Sequence, residues 1–196
     1  MTNNNNTLNG NARAEQEQYR FRVLDSLYTI SRGYTRTTIS IDDLYKQILG
    51  ATKNNTNSKN NQQERIREAL ADLRQFRLAS PGFGSASITH QGIIEYETAI
   101  LSPSNSRYFS FSTIQSAYSE IKENQVRNIQ KQRDRFLSRA RELFDESSMA
   151  SLSAPEIAKQ LDYDDETRDR IYFFLQDEGR IIPLGRGDKF TLPRDA

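Results

Sequence analysis

The chain has 196 residues, of which 27% are charged and 35% hydrophobic, and its formal net charge is +1. This length accommodates one large domain or two small ones, and no apolar run approaches the roughly 18 residues that a membrane span needs. We therefore expect a cytoplasmic protein with no membrane partner.

The sequence has no cysteine and a single histidine, His90. Thiolate zinc sites and multi-histidine metal sites are thereby excluded, and a Ser-His-Asp triad would have to use that one histidine. We expect no metal, no cofactor, no catalytic residue and no enzyme activity.

The small net charge conceals an uneven distribution of charge along the chain. Residues 1–100 contain 12 Lys or Arg and 10 Asp or Glu, residues 101–141 contain 8 and 3, and residues 142–196 contain 7 and 13. The N-terminal part is thus near-neutral, the middle is basic and the C-terminal part is acidic. Such a distribution does not form one uniform nucleic-acid surface. The parts of the chain are therefore expected to differ in what they bind.

The front of the chain is predicted to form a polar tail and three helices. An Asn-rich composition indicates a disordered tail over residues 1–14. Apolar residues at three- and four-residue spacing predict a first helix from about Glu15 to Arg32, and Ser40 has the position of an N-cap for the second helix. A polar loop is predicted over residues 50–61, and a third helix from about Gln62 to Arg77.

Two β-like runs around a glycine turn follow the third helix. They occupy residues 78–88 and lead into the sequence Ile88-Thr89-His90-Gln91-Gly92-Ile93-Ile94-Glu95. Thr89 in this sequence is a good N-cap for the helix that follows. The junction resembles the wing-to-helix junction of MarR- and PadR-like winged-helix regulators, in which a hydrophobic residue, Thr, two polar residues and Gly recur. The resemblance covers about residues 16–101 and implies a winged-helix domain over residues 15–101.

A stretch without proline or glycine joins this first domain to the rest of the chain. It runs from Ser112 to about Glu146 and predicts one long helix or two nearly collinear ones. We assign residues 102–133 to a linker and long basic helix, in which Lys122, Arg127 and Lys131 could follow a phosphate backbone electrostatically. The alternative is a solvated helix whose acidic neighbours partly neutralise these cations.

The last third of the chain repeats the order of helix, helix, helix and hairpin. Ser153-Ala154-Pro155-Glu156 has the spacing of a capping box with Pro in the first turn. A third helix is predicted over about Asp165 to Glu178, and the final hairpin turns at Gly185-Arg186-Gly187-Asp188. This order also resembles the winged-helix superfamily, over about residues 134–192, and implies a second winged-helix domain over residues 134–196.

The third helix and the hairpin of the first domain form the candidate DNA surface. Amide and guanidinium groups near the start of that helix could read adenine or guanine edges, and lysines of the preceding loop could contact phosphates. An ordinary solvated helix face is the alternative, and Glu64 and Glu68 on that face favour it. Together with the linker cations, the candidate DNA-binding residues are Lys53, Lys59, Asn61, Gln62, Gln63, Arg65, Arg67, Lys122, Arg127 and Lys131.

The corresponding helix of the second domain is acidic at its start. Carboxylates there interact favourably with the helix dipole, but they would be repelled by DNA phosphates. The second domain is therefore expected to bind protein, through a homodimer or another partner that contacts residues 112–196. The acidic residues are Asp162, Asp164, Asp165, Glu166 and Asp169.

These observations predict a mainly α protein with small β-hairpin wings, of class α+β, with two winged-helix domains joined by a long helix. The expected function is binding of double-stranded DNA as a transcriptional regulator. The alternative is a protein–protein adaptor in a larger assembly, because tandem winged helices also occur in chromosome-partition and replication-initiation factors. An enzyme ranks third, since no motif builds a catalytic site.

Overall fold

The computed structural model of the protein describes residues 4–50, 56–147, 151–185 and 187–193. These residues form eight α-helices, a short 3-10 helix and six strands. The chain divides into two compact units, residues 1–123 and residues 124–196, which we call the first and second unit. Each unit holds a three-stranded antiparallel sheet. The prediction of a mainly helical α+β protein is therefore confirmed.

The first unit combines five helices with one sheet, whose strand order is β1-β3-β2. Strands β2 and β3 form a hairpin in which Ala79 lies opposite Ile88 and Gly82 lies opposite Ser85. Strand β1 pairs with the other edge of β3. The elements are α1 (Asn4–Ser31), β1 (Ile39–Ser40), α2 (Ile41–Leu49), α3 (Thr56–Gln75), β2 (Ala79–Gly82), β3 (Ser85–Ile88), α4 (His90–Leu101), the 3-10 helix Pro103–Asn105 and α5 (Phe111–Ala117).

The core of the first unit is built on aromatic side chains from α1, α4 and the segment after α4. Phe21 stacks on Tyr96 at 6.0 Å between ring centroids and meets Phe109 edge-on at 5.0 Å. Tyr28 also stacks on Tyr96, at 4.3 Å between ring centroids. Such ring pairs add to the stabilisation that burial of their apolar area provides. They fix α1 against α4.

Two helices begin earlier than the sequence predicts. Helix α1 starts at Asn4, within the expected disordered tail of residues 1–14, and α3 starts at Thr56, within the expected loop of residues 50–61. Asparagine disfavours a helix by only about 0.7 kcal/mol relative to alanine, and neither segment contains proline, so both helices extend backwards through polar residues. Residues 1–3 and 51–55 lie outside the described residues.

The first unit also extends further along the chain than the predicted domain of residues 15–101. Glu95, which is buried, accepts hydrogen bonds from Ser106 Oγ at 2.6 Å and from the backbone N–H of Arg107 at 3.0 Å. These bonds fold the segment after α4 back onto the unit, where Thr113 and Ile114 of α5 are buried. The segment between α4 and α5, which contains Pro103 and several serines, is thus packed against the first unit.

The second unit repeats the element order of the first, with strand order β4-β6-β5 in its sheet. Phe190 of the sheet stacks on Phe136 at 6.1 Å and meets Tyr172 edge-on at 6.0 Å. In both units the order is helix, strand, helix, helix, strand, strand. The elements are α6 (Glu120–Ser147), which begins in the first unit, β4 (Leu152–Ser153), α7 (Ala154–Gln160), α8 (Asp165–Asp177), β5 (Ile182–Pro183) and β6 (Lys189–Thr191).

The structure decides between two predicted arrangements in this half of the chain and corrects one local prediction. The stretch from Ser112 to Glu146 holds two helices, the second of the two arrangements, because Tyr118 between α5 and α6 is extended, with ψ 142°. Ser153 precedes α7 as predicted, but its side chain makes no capping hydrogen bond. Ser153 pairs with Lys189 in the sheet, and the N–H of the next residue, Ala154, donates to the Asp188 carbonyl at 2.9 Å.

Candidate nucleic-acid interface

Helix α3 buries one face and exposes the opposite one. Ile66, Leu70 and Leu73 are at most 4% exposed, so they anchor the helix in the core. With 3.6 residues per turn, the residues that point away from this buried face lie on the outside of the helix. The exposed residues of this outer face are Asn61, Glu64, Glu68, Ala71 and Gln75.

Arg65 points from α3 towards α1. Its guanidinium forms an ion pair with Glu15 and lies 5.5 Å from the ring centroid of Tyr19. The hydrogen bond that Arg65 donates to the Glu15 carboxylate raises the pKa of Arg65 above its ordinary value. The charge of Arg65 is therefore engaged in holding α3 to α1.

Arg67 lies on the other side of α3, towards α2. Its side chain is 61% exposed, pairs with Glu64 at 3.2 Å and lies 5.9 Å from the ring centroid of Tyr45. The hydrogen bond that Arg67 donates to the Glu64 carboxylate raises the pKa of Arg67. Since Glu64 is itself 61% exposed, this is a surface pair of little net stability, and an anion that approaches α3 can replace it.

The amide side chains at the start of α3 are not equivalent. Asn61 is exposed, whereas Gln62 and Gln63 are half-buried. Gln63 lines a shallow cleft between α2 and α3 together with Tyr45 and Lys46. Lys59 lies near the start of α3, where the structure describes the backbone only. Lys53, the other predicted lysine of this segment, lies outside the described residues.

Arg74 is a cation of this surface that the sequence-based list omits. Its Nη2 donates to the carbonyl oxygen of Ser85 at 3.4 Å, so it links α3 to the turn end of the hairpin β2–β3. Arg74 follows Arg67 by seven residues, a spacing that returns to the same side of a helix after two turns. This spacing was the available signal for Arg74.

Lys122 takes part in the packing of the first unit. Its Nζ donates to Asp25 at 2.9 Å and to the carbonyl oxygen of Ala117 at 2.9 Å, and its side chain is 26% exposed. Asp25 also accepts a hydrogen bond from Tyr96 at 2.6 Å. Lys122 is therefore tied to the aromatic core rather than presented to a ligand.

In the second unit, helix α6 carries a row of cations on its outer face. Arg127, Lys131 and Arg135 are exposed and follow one another at intervals of four residues, or about 6 Å along the helix axis. The opposite face is buried. Arg133 belongs to that buried face: it is 4% exposed and its guanidinium carbon lies 3.3 Å from the ring centroid of Phe174. We call Arg127, Lys131 and Arg135 the α6 row.

Helix α8 of the second unit presents carboxylates at its start. Asp164 is the N-cap and accepts a hydrogen bond from the N–H of Thr167 at 2.7 Å. Arg168 lies between Asp165 and Asp169, at 2.6 and 2.7 Å. These carboxylates stabilise the helix through its cap, its dipole and its internal ion pairs. They also make this end of α8 unfavourable for phosphates.

Across the described parts of the chain, no three His, Asp or Glu side chains are grouped as metal ligands, and none of the helices there is long and apolar enough to cross a membrane. Comparison with protein-family models, with curated proteins and with solved structures finds no match to this chain.

Proposed function

We propose that the protein is a tandem winged-helix protein that binds double-stranded DNA and acts as a transcriptional regulator. The proposal rests on one observation, the order helix, strand, helix, helix, strand, strand, which occurs in both units with the first strand paired to the last. The MarR- and PadR-like junction at Thr89 to Gly92 supports it. Folds of the helix-turn-helix type place their recognition helix in the major groove, a role that falls to α3 here.

In this proposal the two flanking arginines of α3 have different roles. Arg67 and Asn61 contact DNA, because both are exposed and Arg67 pairs with a carboxylate, Glu64, that is itself exposed. Arg65 holds α3 to α1 through Glu15. The α6 row contacts phosphates, while the acidic α8 stays away from them.

The salt dependence of binding to duplex DNA tests this assignment. In anisotropy titrations with a labelled random-sequence duplex, log K is expected to fall linearly with log salt concentration. Arg67→Ala is expected to weaken binding and to reduce the slope by about 1. Arg65→Ala is the matched control: it removes the same charge from the same helix and is expected to leave the slope unchanged.

Two results would contradict the proposal at different levels. If the two variants have equal effects on the slope, the assignment of Arg67 as a DNA contact is wrong. If the unaltered protein binds no duplex at low salt, where electrostatic affinity is greatest, DNA binding itself is wrong.

The second candidate function is that of a protein–protein adaptor. The observation that favours it is the acidic start of α8 in the position that a recognition helix would occupy. Residues 112–196 would then mediate self-association or binding of another protein. Sedimentation of the full chain over a range of concentrations tests the homodimer, and a monomer at every concentration would remove it.

A further inference from the structure

The hairpin β2–β3 ends in an aromatic side chain that no residue in the described part of the chain covers. Phe83 is fully exposed, at 108% of its reference area, and no other large hydrophobic side chain in the described residues exceeds 72%. It occupies the turn between Gly82 and Gly84. A phenyl ring left wholly in water at a fixed position contributes nothing to the fold, so it is available to a ligand.

The position of Phe83 is fixed by the turn. Gly84 has φ +63°, a value that favours glycine, and Gly82 pairs with Ser85 at the end of the two strands. The carbonyl oxygen of Gly84 accepts a hydrogen bond of 3.1 Å from the N–H of Ile41, the first residue of α2. The tip is therefore held beside the start of α2, on the unit that carries α3.

The hairpin is slim and uncharged. Between Arg77 and His90 the sequence contains no Asp, Glu, Lys or Arg, and apart from Pro81 and Phe83 its exposed positions are Gly and Ser. A protein-binding hot spot is normally surrounded by side chains that exclude water from it. Glycine and serine supply no such rim, but they do allow close approach to a groove only about 6 Å wide, such as the DNA minor groove.

We propose that Phe83 is an apolar wedge that inserts its ring at a base step of duplex DNA from the minor groove. This inference rests on the proposed DNA-binding function of the first unit. Phenylalanine is among the side chains that unstack a base step in this way and kink the duplex. The contact is non-ionic, so it contributes affinity without releasing counterions.

A single-tryptophan variant tests the contact directly, because the chain contains no Trp. Phe83→Trp keeps an aromatic ring at the tip and introduces the only indole, whose emission is expected to be quenched when saturating duplex DNA is added. Phe111→Trp is the matched control: Phe111 lies in the same unit, is 61% exposed and is assigned no DNA contact. Its emission is expected to stay unchanged.

The affinity of Phe83→Ala gives a second readout. Loss of the ring is expected to weaken binding roughly five- to one-hundredfold, as for removal of a base-stacking aromatic side chain. The slope of log K against log salt concentration is expected to match that of the unaltered protein, since no cation is removed. An Arg67→Ala variant measured beside it should instead change the slope.

The outcomes separate this inference from the function on which it rests. If the duplex binds but the emission of Phe83→Trp is unchanged, the wedge is overturned while DNA binding stands. If that emission responds to protein concentration without DNA, Phe83 contacts another copy of the chain and the wedge is likewise overturned. If no duplex binds the unaltered protein, the proposed function has failed.

Discussion

Gly92, near the start of α4, shows how one residue constrains the hairpin. A Cβ on Gly92 would lie 2.1 Å from the carbonyl oxygen of Leu78, a backbone atom that cannot move alone. The same carbonyl accepts the N–H of Thr89, and the Thr89 side chain accepts the N–H of Gly92 at 3.0 Å. The glycine therefore lets α4 pack directly against the strand end that starts the hairpin.

Gly92→Ala is accordingly expected to lower the free energy of unfolding of the first unit by about 1–3 kcal/mol, the usual cost of overpacking. Urea denaturation followed by circular dichroism measures this. Gln91→Ala, at the exposed neighbouring position, is the control and is expected to change the free energy by less than about 0.5 kcal/mol. Equal stability of the two variants would contradict the packing explanation.

Sequence patterns distinguish buried from exposed residues better than they distinguish partners. The spacing of Ile66, Leu70 and Leu73 correctly predicts the buried face of α3. Arg65 and Arg67 flank that face on opposite sides, and the sequence places both among the DNA-binding candidates. Their different environments depend on Glu15 and Tyr45, which reach α3 only through the packing of α1 and α2. No local pattern contains that information.

At the scale of elements, the two units cap their second helices differently. Ser40 accepts the N–H of Asp43 at 3.1 Å, as its predicted N-cap position requires, and its hydroxyl donates to the Asp43 carboxylate at 2.7 Å. The bond from Ser40, followed by those of Lys46, lowers the pKa of Asp43. Ser153 has the same spacing to Glu156 but no side-chain cap. Both serines pair in their sheets, Ser40 with Ser85 and Ser153 with Lys189. Their backbones differ, with φ −65° and ψ 147° at Ser40 and φ −109° and ψ 117° at Ser153. Because the spacing is the same in both units, sequence alone predicts one cap correctly and the other wrongly.

This difference predicts unequal effects of the same substitution. Ser40→Ala is expected to cost about 1 kcal/mol, and thus to speed local amide exchange in α2 about fivefold. Ser153→Ala removes no capping bond and is expected to leave exchange in α7 nearly unchanged. Hydrogen exchange measured by NMR for both helices compares the two directly. A comparable acceleration in α7 would show that Ser153 caps its helix in solution.

At the scale of the whole molecule, the overall charge of +1 gives no guide to where DNA would lie. The exposed α6 row and the acidic start of α8 belong to the same unit and have opposite signs. Because counterion release depends on the phosphates that a protein contacts rather than on its net charge, the proposed function requires that the location of a cation matters more than its number.

Paired charge reversals in the second unit test this requirement. Arg127→Glu with Lys131→Glu alters the α6 row, and Lys159→Glu with Lys189→Glu alters two exposed lysines of α7 and β6 by the same charge. The first pair is expected to reduce the slope of log K against log salt concentration by about 2, one for each lost phosphate contact. The second pair is expected to weaken binding only through the general field, with a smaller change of slope. If both pairs reduce the slope equally, the α6 row is an ordinary solvated helix face and DNA contact is confined to the first unit.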